Sequence, residues 1–375
     1  MKRVIRLATR GLYAHAVKPV LFRFRPDGVH GTTVKLAKTV QRVPLLRDMP
    51  RIWQYKNDAM LSQTIAGIEF KNPIGLSAGF DKEIALPRTM RALGFGWMTG
   101  GSVTWGSYKG NDGPWFHRLP KTKALVVNAG LPSEGTQVVA ERVNGYSKTL
   151  ITNFPLSVSV AKTNTKDCAD DATAIKDYCQ SLVVFDDLPQ VKLLEINISC
   201  PNTFGGEPFT DAKRLEKLLK AVDSLHLNKP VFIKMPISLP VHEFDALLAV
   251  IAEHTATGVT IGNLHKDRDN VDIKDPLPNE VKGGLSGAPT SELSTAHIRR
   301  TYQKYGDKLV IIGVGGIFSV DDAYEKIRAG ASLVALITGM IFEGPQLIGT
   351  INQGLAARLK HDNYTNISQA IGTKK

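Results

Sequence analysis

The sequence has few cysteines and no long apolar run. Only three of its 375 residues are cysteine, at positions 168, 179 and 200. Their spacing offers neither a disulfide framework nor a zinc framework, so no metal site is expected and a reducing cytoplasm fits. No apolar stretch reaches the ~18 residues that a membrane-spanning helix needs. With 43% hydrophobic and 22% charged residues, the composition is typical of a soluble globular protein of one large or two ordinary domains.

Acidic residues are nearly missing from the first 56 positions. This segment holds thirteen Lys or Arg residues against Asp27 and Asp48, a net charge of +11 within a total of +12. The remaining 319 residues therefore carry only +1. A basic segment of this kind can contact nucleic acid, anionic lipid or an import receptor.

The same segment alternates its charges with apolar residues at helical spacing. Apolar positions 5, 12, 13, 17, 20 and 21 predict a basic amphipathic helix over residues 1–24, broken near Pro19. A helix packed on the main domain and an Arg-rich transit peptide remain open as alternatives. Residues 26–28 predict a turn, and residues 30–40 a second helix.

From residue 65 onward, strand and helix patterns alternate eight times, which predicts a (β/α)8 TIM barrel. The predicted strands lie near 74–79, 96–101, 155–160, 192–198, 230–235, 257–262, 309–313 and 333–337. The predicted helices lie near 82–93, 134–147, 168–184, 210–225, 241–254, 290–304, 320–329 and 347–360. Residues 65–70 are expected to form a hairpin that closes the barrel floor. Two excursions, 102–133 and 264–289, are expected to cover the site, and the tail after 361 is expected to be mobile.

The fourth predicted strand ends in a loop that combines carboxamides with a thiol. Asn197 closes the apolar run, and proline at 201 prevents the strand from continuing past Cys200 and Asn202. Active sites of such barrels lie at this end of the strands. Two carboxamides beside one thiol suit a planar, hydrogen-bonding ligand and the transfer of one proton. A plain loop with a buried thiol explains these residues equally well.

Glycines after the last two predicted strands suggest a phosphate site. Gly313-Val314-Gly315-Gly316 and Ile337-Thr338-Gly339 can present backbone amides to a phosphate, although a tight turn is the alternative. Lys234 ends an apolar strand, so its amine must either be paired or face a polar site.

Several blocks together resemble one enzyme family. Asn197-Ile198-Ser199-Cys200-Pro201-Asn202-Thr203 resembles the active-site loop of dihydroorotate dehydrogenases, flavin enzymes of pyrimidine synthesis. Further blocks in the family's order begin at Asn72, Gly94, Gly101, Arg118, Gly283, Ile311 and Lys326. The resemblance runs from about residue 18 to about residue 358, and its collinear spacing makes it specific.

The resemblance implies an FMN cofactor, dihydroorotate as substrate and Cys200 as the general base. By the family pattern, the flavin-contacting positions are Ser77, Ala78, Gly79, Ser102, Ser159, Asn197, Lys234, Ser286, Gly287, Val314, Gly315, Gly316, Ile337 and Thr338. The substrate-contacting positions are Lys82, Asn128, Gly130, Leu131, Asn197, Asn202 and Asn263.

The N-terminal segment resembles the quinone-dependent, membrane-associated branch of this family. There a pair of helices forms an apolar mouth to the flavin, with His30 and Arg118 at the acceptor site. The resemblance implies an extension over residues 1–58 and a flavin-binding barrel over 59–375. It also implies a quinone partner, contact of residues 1–24 with anionic membrane, and no nucleic-acid partner. The expected location is peripheral, on the cytoplasmic face of the inner membrane, or on the mitochondrial inner membrane in a eukaryote.

Some positions depart from that branch. It normally has serine at the position of Cys200, whereas cysteine marks the soluble branch. The stretch between Asn128 and Gly130 is one residue short, Leu264 stands where Ser or Thr is usual, and Ser159 replaces an asparagine. Ile337 also replaces a frequent aromatic residue.

Other functions remain open at this stage. The same flavin barrel could use a soluble acceptor such as fumarate or NAD. A dihydrouridine-synthase-like RNA-modifying enzyme would explain a basic segment and a loop cysteine, and a catalytically dead barrel could bind lipid or a partner.

Overall fold

The N-terminal segment folds as helices that lie along the barrel. The structure, a computed structural model, describes residues 1–374; residue 375, the last of the expected barrel domain, lies outside them. The first helices are α1 (Lys2–Leu12), α2 (Lys18–Leu21), α3 (Pro26–Val40) and α4 (Pro44–Arg47). Among residues 1–374, no helix combines the length and apolarity needed to cross a bilayer.

Two prolines in this segment act differently from the sequence prediction. The helix does not break near Pro19, because a π-helical turn over Tyr13–Val17 joins α1 to α2. Pro19 lies in α2 directly after this π-helical turn. Residues 26–28 likewise open α3 rather than form a turn, since the fixed φ of Pro26 suits a helix start. The chain reverses just before it, at residues 22–25.

Eight parallel strands close into a barrel, as predicted. All strands in chain order are β1 (Gln63–Ile65), β2 (Ile68–Phe70), β3 (Ile74–Leu76), β4 (Trp97–Val103), β5 (Phe116–Leu119), β6 (Ala124–Val127), β7 (Leu156–Val160), β8 (Leu193–Asn197), β9 (Val231–Met235), β10 (Gly258–Ile261), β11 (Gly284–Gly287), β12 (Val310–Val314) and β13 (Leu333–Leu336). The barrel runs β3-β4-β7-β8-β9-β10-β12-β13 and returns to β3. Their apolar faces form the main core against the surrounding helices.

Helices follow the barrel strands as the alternation predicted. They are α5 (Pro87–Leu93), α6 (Thr136–Asn144), α7 (Lys148–Thr152), α8 (Asp171–Asp186), α9 (Ala212–Asp223), α10 (Val241–Ala252), α11 (Ser291–Tyr305), α12 (Val320–Ala329), α13 (Thr338–Glu343) and α14 (Leu347–His361). The start of α5 lies five residues later than predicted. The carboxylate of Asp81 accepts hydrogen bonds from the N–H groups of Ala85 and Leu86, at 2.8 and 2.7 Å, and holds residues 81–86 in a loop.

The barrel floor is closed by the hairpin expected at residues 65–70. β1 and β2 pair antiparallel, with Ile65 opposite Ile68. Phe70 packs edge-on against the ring of Trp97, which lies inside the barrel with Leu193 and Phe232. This apolar plug fills the amino-terminal half of the barrel interior and leaves the carboxyl end for polar residues.

The two long excursions join in a small sheet that the sequence analysis missed. β5 and β6 come from the first excursion and β11 from the second, and they pair antiparallel in the order β11-β6-β5. A separate apolar cluster of Leu119, Val126 and Leu285 stabilises this sheet. It stands over the carboxyl ends of the barrel strands, so the excursions cover the site as expected.

The tail after residue 361 packs on the barrel, so the expectation of a mobile tail was wrong. Ile367 and Ala370 are buried in a short 3-10 helix. The hydroxyl of Tyr324 donates to Asp362 at 2.6 Å, and the side chain of Asn366 donates to the carbonyl of Ser62 at 2.9 Å. These contacts involve partners far away in sequence, which local patterning does not reveal.

Candidate functional site

One cavity of about 470 Å³ lies above the carboxyl ends of the barrel strands. Its deep end carries polar side chains of the barrel loops, and its outer end is walled by apolar residues of α2 and α3. Sixteen of the predicted site residues line it, namely His30, Ala78, Gly79, Lys82, Ser102, Arg118, Gly130, Leu131, Asn197, Cys200, Asn202, Lys234, Asn263, Ser286, Ile337 and Thr338.

Seven predicted residues are not part of this lining. They are Ser77, Asn128, Ser159, Gly287, Val314, Gly315 and Gly316. Ser159 reaches the site through another residue, because its hydroxyl lies 2.9 Å from that of Ser102. The Asn128 carboxamide instead accepts a hydrogen bond from Asn111 at 3.3 Å.

Cys200 lies on the loop that follows β8, as the Cys-Pro sequence predicted. Asn197 at the strand end donates to the Ser102 hydroxyl at 2.8 Å and accepts from the N–H of Ser199 at 3.2 Å. Burial raises the pKa of the Cys200 thiol to about 11, while the N–H of Asn202 and the amines of Lys234 and Lys162 oppose that rise. Two cations near one thiol favour its thiolate form.

Two further carboxamides fix this loop against its neighbours. Asn202 donates to the carbonyl of Val127 at 3.0 Å, which ties the loop to β6 of the covering sheet. Asn263, after β10, donates to the carbonyl of Ser199 and to its hydroxyl. The loop is thus held on both sides, and its conformation is set before any ligand arrives.

Two lysines in the cavity have no anionic partner. Within residues 1–374, neither Lys82 nor Lys234 forms an ion pair, although only 6% of Lys234 is exposed. The Lys82 amine lies 4.6 Å from the centre of the Trp115 ring, and burial lowers its pKa to about 8. Buried cations of this kind require a counter-ion, so the cavity suits a ligand with at least two anionic or electron-rich groups.

The glycines after β12 have the backbone geometry that only glycine adopts readily. Gly315 and Gly316 have φ values of 108° and 67°. A Cβ on Gly316 would lie 2.3 Å from that of Ser291, so no side chain fits there. Nearby, the hydroxyls of Ser286 and Thr338 lie 3.0 Å apart at the start of α13. Free N–H groups at a helix start and in a glycine turn are suitable donors to a phosphate.

The outer end of the cavity is aromatic and apolar. The His30 ring packs edge-on against Phe80 and Phe116, with centroids 5.2 and 5.7 Å away. Burial and the Lys82 charge lower the pKa of His30 to about 4, so the ring is neutral at physiological pH. Arg118 donates to the carbonyl of Phe24 at 2.7 Å and stacks on the Phe22 ring, which connects β5 to the N-terminal segment.

The structure adds residues that the sequence analysis missed. Lys162 is 3% exposed, and its amine donates to the carbonyl of Phe204 at 2.7 Å, which anchors the far end of the Cys200 loop. Lys162 lies two residues after the end of β7, so a lysine close to a strand end was a signal similar to the one that identified Lys234. Asn111 bonds both Asn128 and the carbonyl of Asn202, and nothing in its local sequence marked it.

Comparisons with known proteins agree with one another. Residues 60–359 match the family model described as dihydroorotate dehydrogenase. A relative named dihydroorotate dehydrogenase (quinone) from Mycobacterium sp. (strain KMS) is 34% identical over 96% of this chain and 98% of the relative. Relatives with the same name from Novosphingobium aromaticivorans and Nostoc punctiforme are 33% and 31% identical over the same shares.

Solved structures show the same likeness in three dimensions. A crystal structure of DHODH from Eimeria tenella in complex with ferulenol is 28% identical, with a TM-score of 0.82 over 93% of this chain and 95% of that one. The ligand-free form from the same organism has a TM-score of 0.80. A match over 93% of the chain is longer than the barrel domain alone, so the likeness extends into residues 1–58.

Proposed function

The chain belongs to the dihydroorotate dehydrogenase family, and on that premise we propose that it oxidises dihydroorotate to orotate in pyrimidine synthesis, with FMN as cofactor and a membrane quinone as acceptor. The observation that carries this proposal is the two-ended cavity. Its deep end joins Cys200, Lys82 and Lys234, and its outer end is bounded by His30 and Tyr13 of the N-terminal helices.

The polar deep end suits dihydroorotate. Its carboxylate would pair with Lys82, which has no anion of its own among the described residues. Carboxamides of Asn197, Asn202 and Asn263 would meet the amide edge of the ring. Because each unmet buried polar group costs about 1–3 kcal/mol, such a set rejects analogues that lack these groups.

Cys200 would remove the proton from C5 of dihydroorotate. Its loop is fixed by Asn202, Asn263 and Lys162, so the thiol is held in place. Burial and the Glu207 carboxylate raise the pKa of the thiol to about 11, and the lysines near it oppose that rise and so favour the thiolate that a base needs.

The residues around the barrel mouth fit FMN. The phosphate would lie at Gly315, Gly316 and the start of α13, and the ring edge would meet the unpaired amine of Lys234. Ala78 and Gly79 leave space for a flat ring next to the backbone. FMN held by these residues would supply an acceptor for the hydride from C6 of dihydroorotate.

The outer end of the cavity suits an apolar acceptor. His30 is neutral and lies between aromatic rings, so it suits contact with an uncharged, planar quinone headgroup. In this proposal residues 1–58 form the membrane-facing extension and the barrel domain begins at 59. The extension would hold the protein peripherally at the cytoplasmic face of the inner membrane, or at the mitochondrial inner membrane in a eukaryote.

A three-acceptor assay tests the proposal. Orotate formation from dihydroorotate is measured with a short-chain quinone, fumarate or NAD as the sole oxidant. Turnover with quinone alone supports the proposal. Turnover only with fumarate or NAD would assign the soluble acceptor that Cys200 suggests by resemblance, and no turnover with any oxidant would refute the proposal.

A further inference from the structure

A second cavity lies on the opposite face of the barrel. It has a volume of about 230 Å³ and opens where β3, β4 and β7 begin, beside Asn72, residues 94–96 and Asn153. Residues 51–57 form its outer wall. This volume is below the ~300–1,000 Å³ of sites for drug-sized ligands, so the cavity suits a small group rather than a whole cofactor.

The walls of this cavity carry one sign of charge. Arg51, Lys56, Lys71 and Arg91 line it, and no lining residue within the described chain is acidic. Outside the cavity, Asp48 lies 3.1 Å from Arg51 and Asp58 lies 3.8 Å from Lys56. These two acids offset only part of a fourfold positive charge.

Arg91 and Lys71 form no ion pair within residues 1–374. The Lys71 amine donates to the side-chain oxygen of Asn153 at 3.0 Å, a neutral partner. Burial lowers the pKa of Arg91, the nearby charge of Arg51 lowers it further, and the Asp48 carboxylate offsets only part of this shift. A bound anion would relieve this repulsion, and two arginine forks match phosphate oxygens well.

Exposed apolar residues adjoin this cavity. Arg51 stands between Met49 and Ile52, whose exposed fractions are 57% and 45%. Arg51, Met49 and Ile52 belong to the 3-10 helix Met49–Trp53, which packs against α1. The side chains of Val4 and Leu7 on α1 are also exposed.

Arg6 fastens α1 to the wall of the cavity. The Arg6 guanidinium donates to the carbonyls of Trp53 and Gln54 at 3.3 Å. α1 is about 16 Å long. Its exposed apolar residues, Val4 and Leu7, therefore lie between the active-site mouth at Tyr13 and this cavity. A membrane that contacts α1 would thus bring lipid headgroups to the opening of the second cavity.

We propose that the cavity of Arg51, Lys56, Lys71 and Arg91 binds a phosphate group, and that a membrane phospholipid supplies it. The choice of lipid rests on the proposed peripheral membrane contact, whereas the phosphate site itself does not. A soluble phosphate has the same chemistry and is the other source.

Calorimetric titration of the full-length protein tests the site. Two probes are used: dihexanoylphosphatidylglycerol below its micelle concentration, and inorganic phosphate. The variant Arg51→Gln/Arg91→Gln should bind the lipid probe about tenfold more weakly or worse, because it loses two charged donors. The control Lys35→Gln/Arg42→Gln removes the same charge from exposed positions of the N-terminal segment and should bind like the wild type.

The remaining outcomes decide between the sources. Tighter binding of the lipid probe than of phosphate supports a lipid ligand, and equal binding assigns the site to soluble phosphate. Equal weakening in both variants, or no binding of either probe by the wild type, would overturn the proposal. If the arginine variant does not fold, Lys56→Gln/Lys71→Gln replaces it. Neither probe needs a membrane, so failed vesicle binding would count against the membrane proposal alone.

Discussion

At the residue scale, Cys200, which by resemblance marks the soluble branch, stands in a chain whose relatives are named for a quinone acceptor. Cys200 is flanked by Lys234 and Lys162, which oppose the rise in its pKa caused by burial. A serine hydroxyl titrates far higher than a thiol, so these cations would assist a cysteine base more effectively. The chemistry of the loop therefore depends on lysines from two neighbouring strands as well as on the thiol.

Replacing Cys200 should slow proton removal without emptying the site. Cys200→Ala should retain flavin and bind orotate, because the carboxamides remain, and flavin reduction by dihydroorotate should fall by ~10²–10⁴-fold. Cys200→Ser should be intermediate.

The reduction rate should also depend on pH. Since the pKa of the Cys200 thiol in the folded protein is about 11, the wild-type rate should climb with pH through the neutral and mildly alkaline range. Rapid-mixing absorbance measures this step, with Cys179→Ala as the matched control. A Cys200→Ala variant as fast as the wild type at every pH would exclude the thiol as base.

His30 should matter to the acceptor and not to the substrate. His30→Ala removes a neutral ring packed on Phe80 and Phe116. The KM for quinone should rise roughly fivefold or more, as for loss of ~1 kcal/mol at a buried contact. The rate of flavin reduction by dihydroorotate should not change. His15→Ala, an exposed histidine in the same segment, is the control, and equal effects of both variants would contradict the assignment.

Lys326 should make stability depend on pH. It is fully buried, and its amine donates to the hydroxyls of Thr295 and Ser294 at 2.9 and 3.3 Å. Burial lowers its pKa to about 7. Between about 7 and the ordinary lysine value of ~10.4, the unfolded chain binds the extra proton, so stability should rise with pH by up to ~1.4 kcal/mol per unit. When the free energy of unfolding is measured in urea, Lys326→Met should lack this rise in stability with pH. The same pH dependence in Lys326→Met and in the wild type would contradict the role of Lys326.

At the element scale, structure set by local sequence pattern was predicted correctly, whereas pairing between distant segments was missed. Each barrel strand is a short apolar run followed by an amphipathic helix, so periodicity located all eight strands within a few residues. β11 pairs with β6 from about 160 residues away, and no local pattern contains that partnership. Asn111 was missed for the same reason, because its role depends on a loop distant in sequence, whereas the position of Lys162 near a strand end is a local signal. The predicted helix break near Pro19 and the predicted turn at residues 26–28 were both wrong. The effect of a proline on a helix depends on its position in the helical turn as well as on its residue type.

Removing residues 1–24 should separate the two ends of the cavity. Basic and apolar residues of α1 should attract anionic vesicles, at about 1 kcal/mol per Lys or Arg near the surface. The deletion should lose most vesicle sedimentation and depress quinone reduction, because Tyr13 and Leu21 wall the outer end. Flavin reduction by dihydroorotate should survive, since Cys200 and Lys82 remain. Sedimentation that is unchanged by the deletion would refute membrane contact through this segment.

At the scale of the whole molecule, one barrel carries two chemistries at the ends of one cavity. The floor hairpin seals the amino-terminal face, and the sheet of β5, β6 and β11 covers the other. The N-terminal helices complete the outer wall, with the Tyr13 hydroxyl donating to the carbonyl of Ile341 at 2.6 Å. We therefore propose that substrate oxidation and acceptor reduction occur at the two ends of this one cavity and share one bound flavin.

Anaerobic double mixing tests that claim most directly. The flavin-loaded protein is first mixed with dihydroorotate, and bleaching of the flavin absorbance is recorded. The reduced protein is then mixed with a short-chain quinone, fumarate or NAD in parallel. We expect rapid bleaching followed by rapid recovery with quinone, and recovery with the other two acceptors that is slower by orders of magnitude. Failure of dihydroorotate to bleach the flavin, or faster recovery with fumarate or NAD than with quinone, would contradict it.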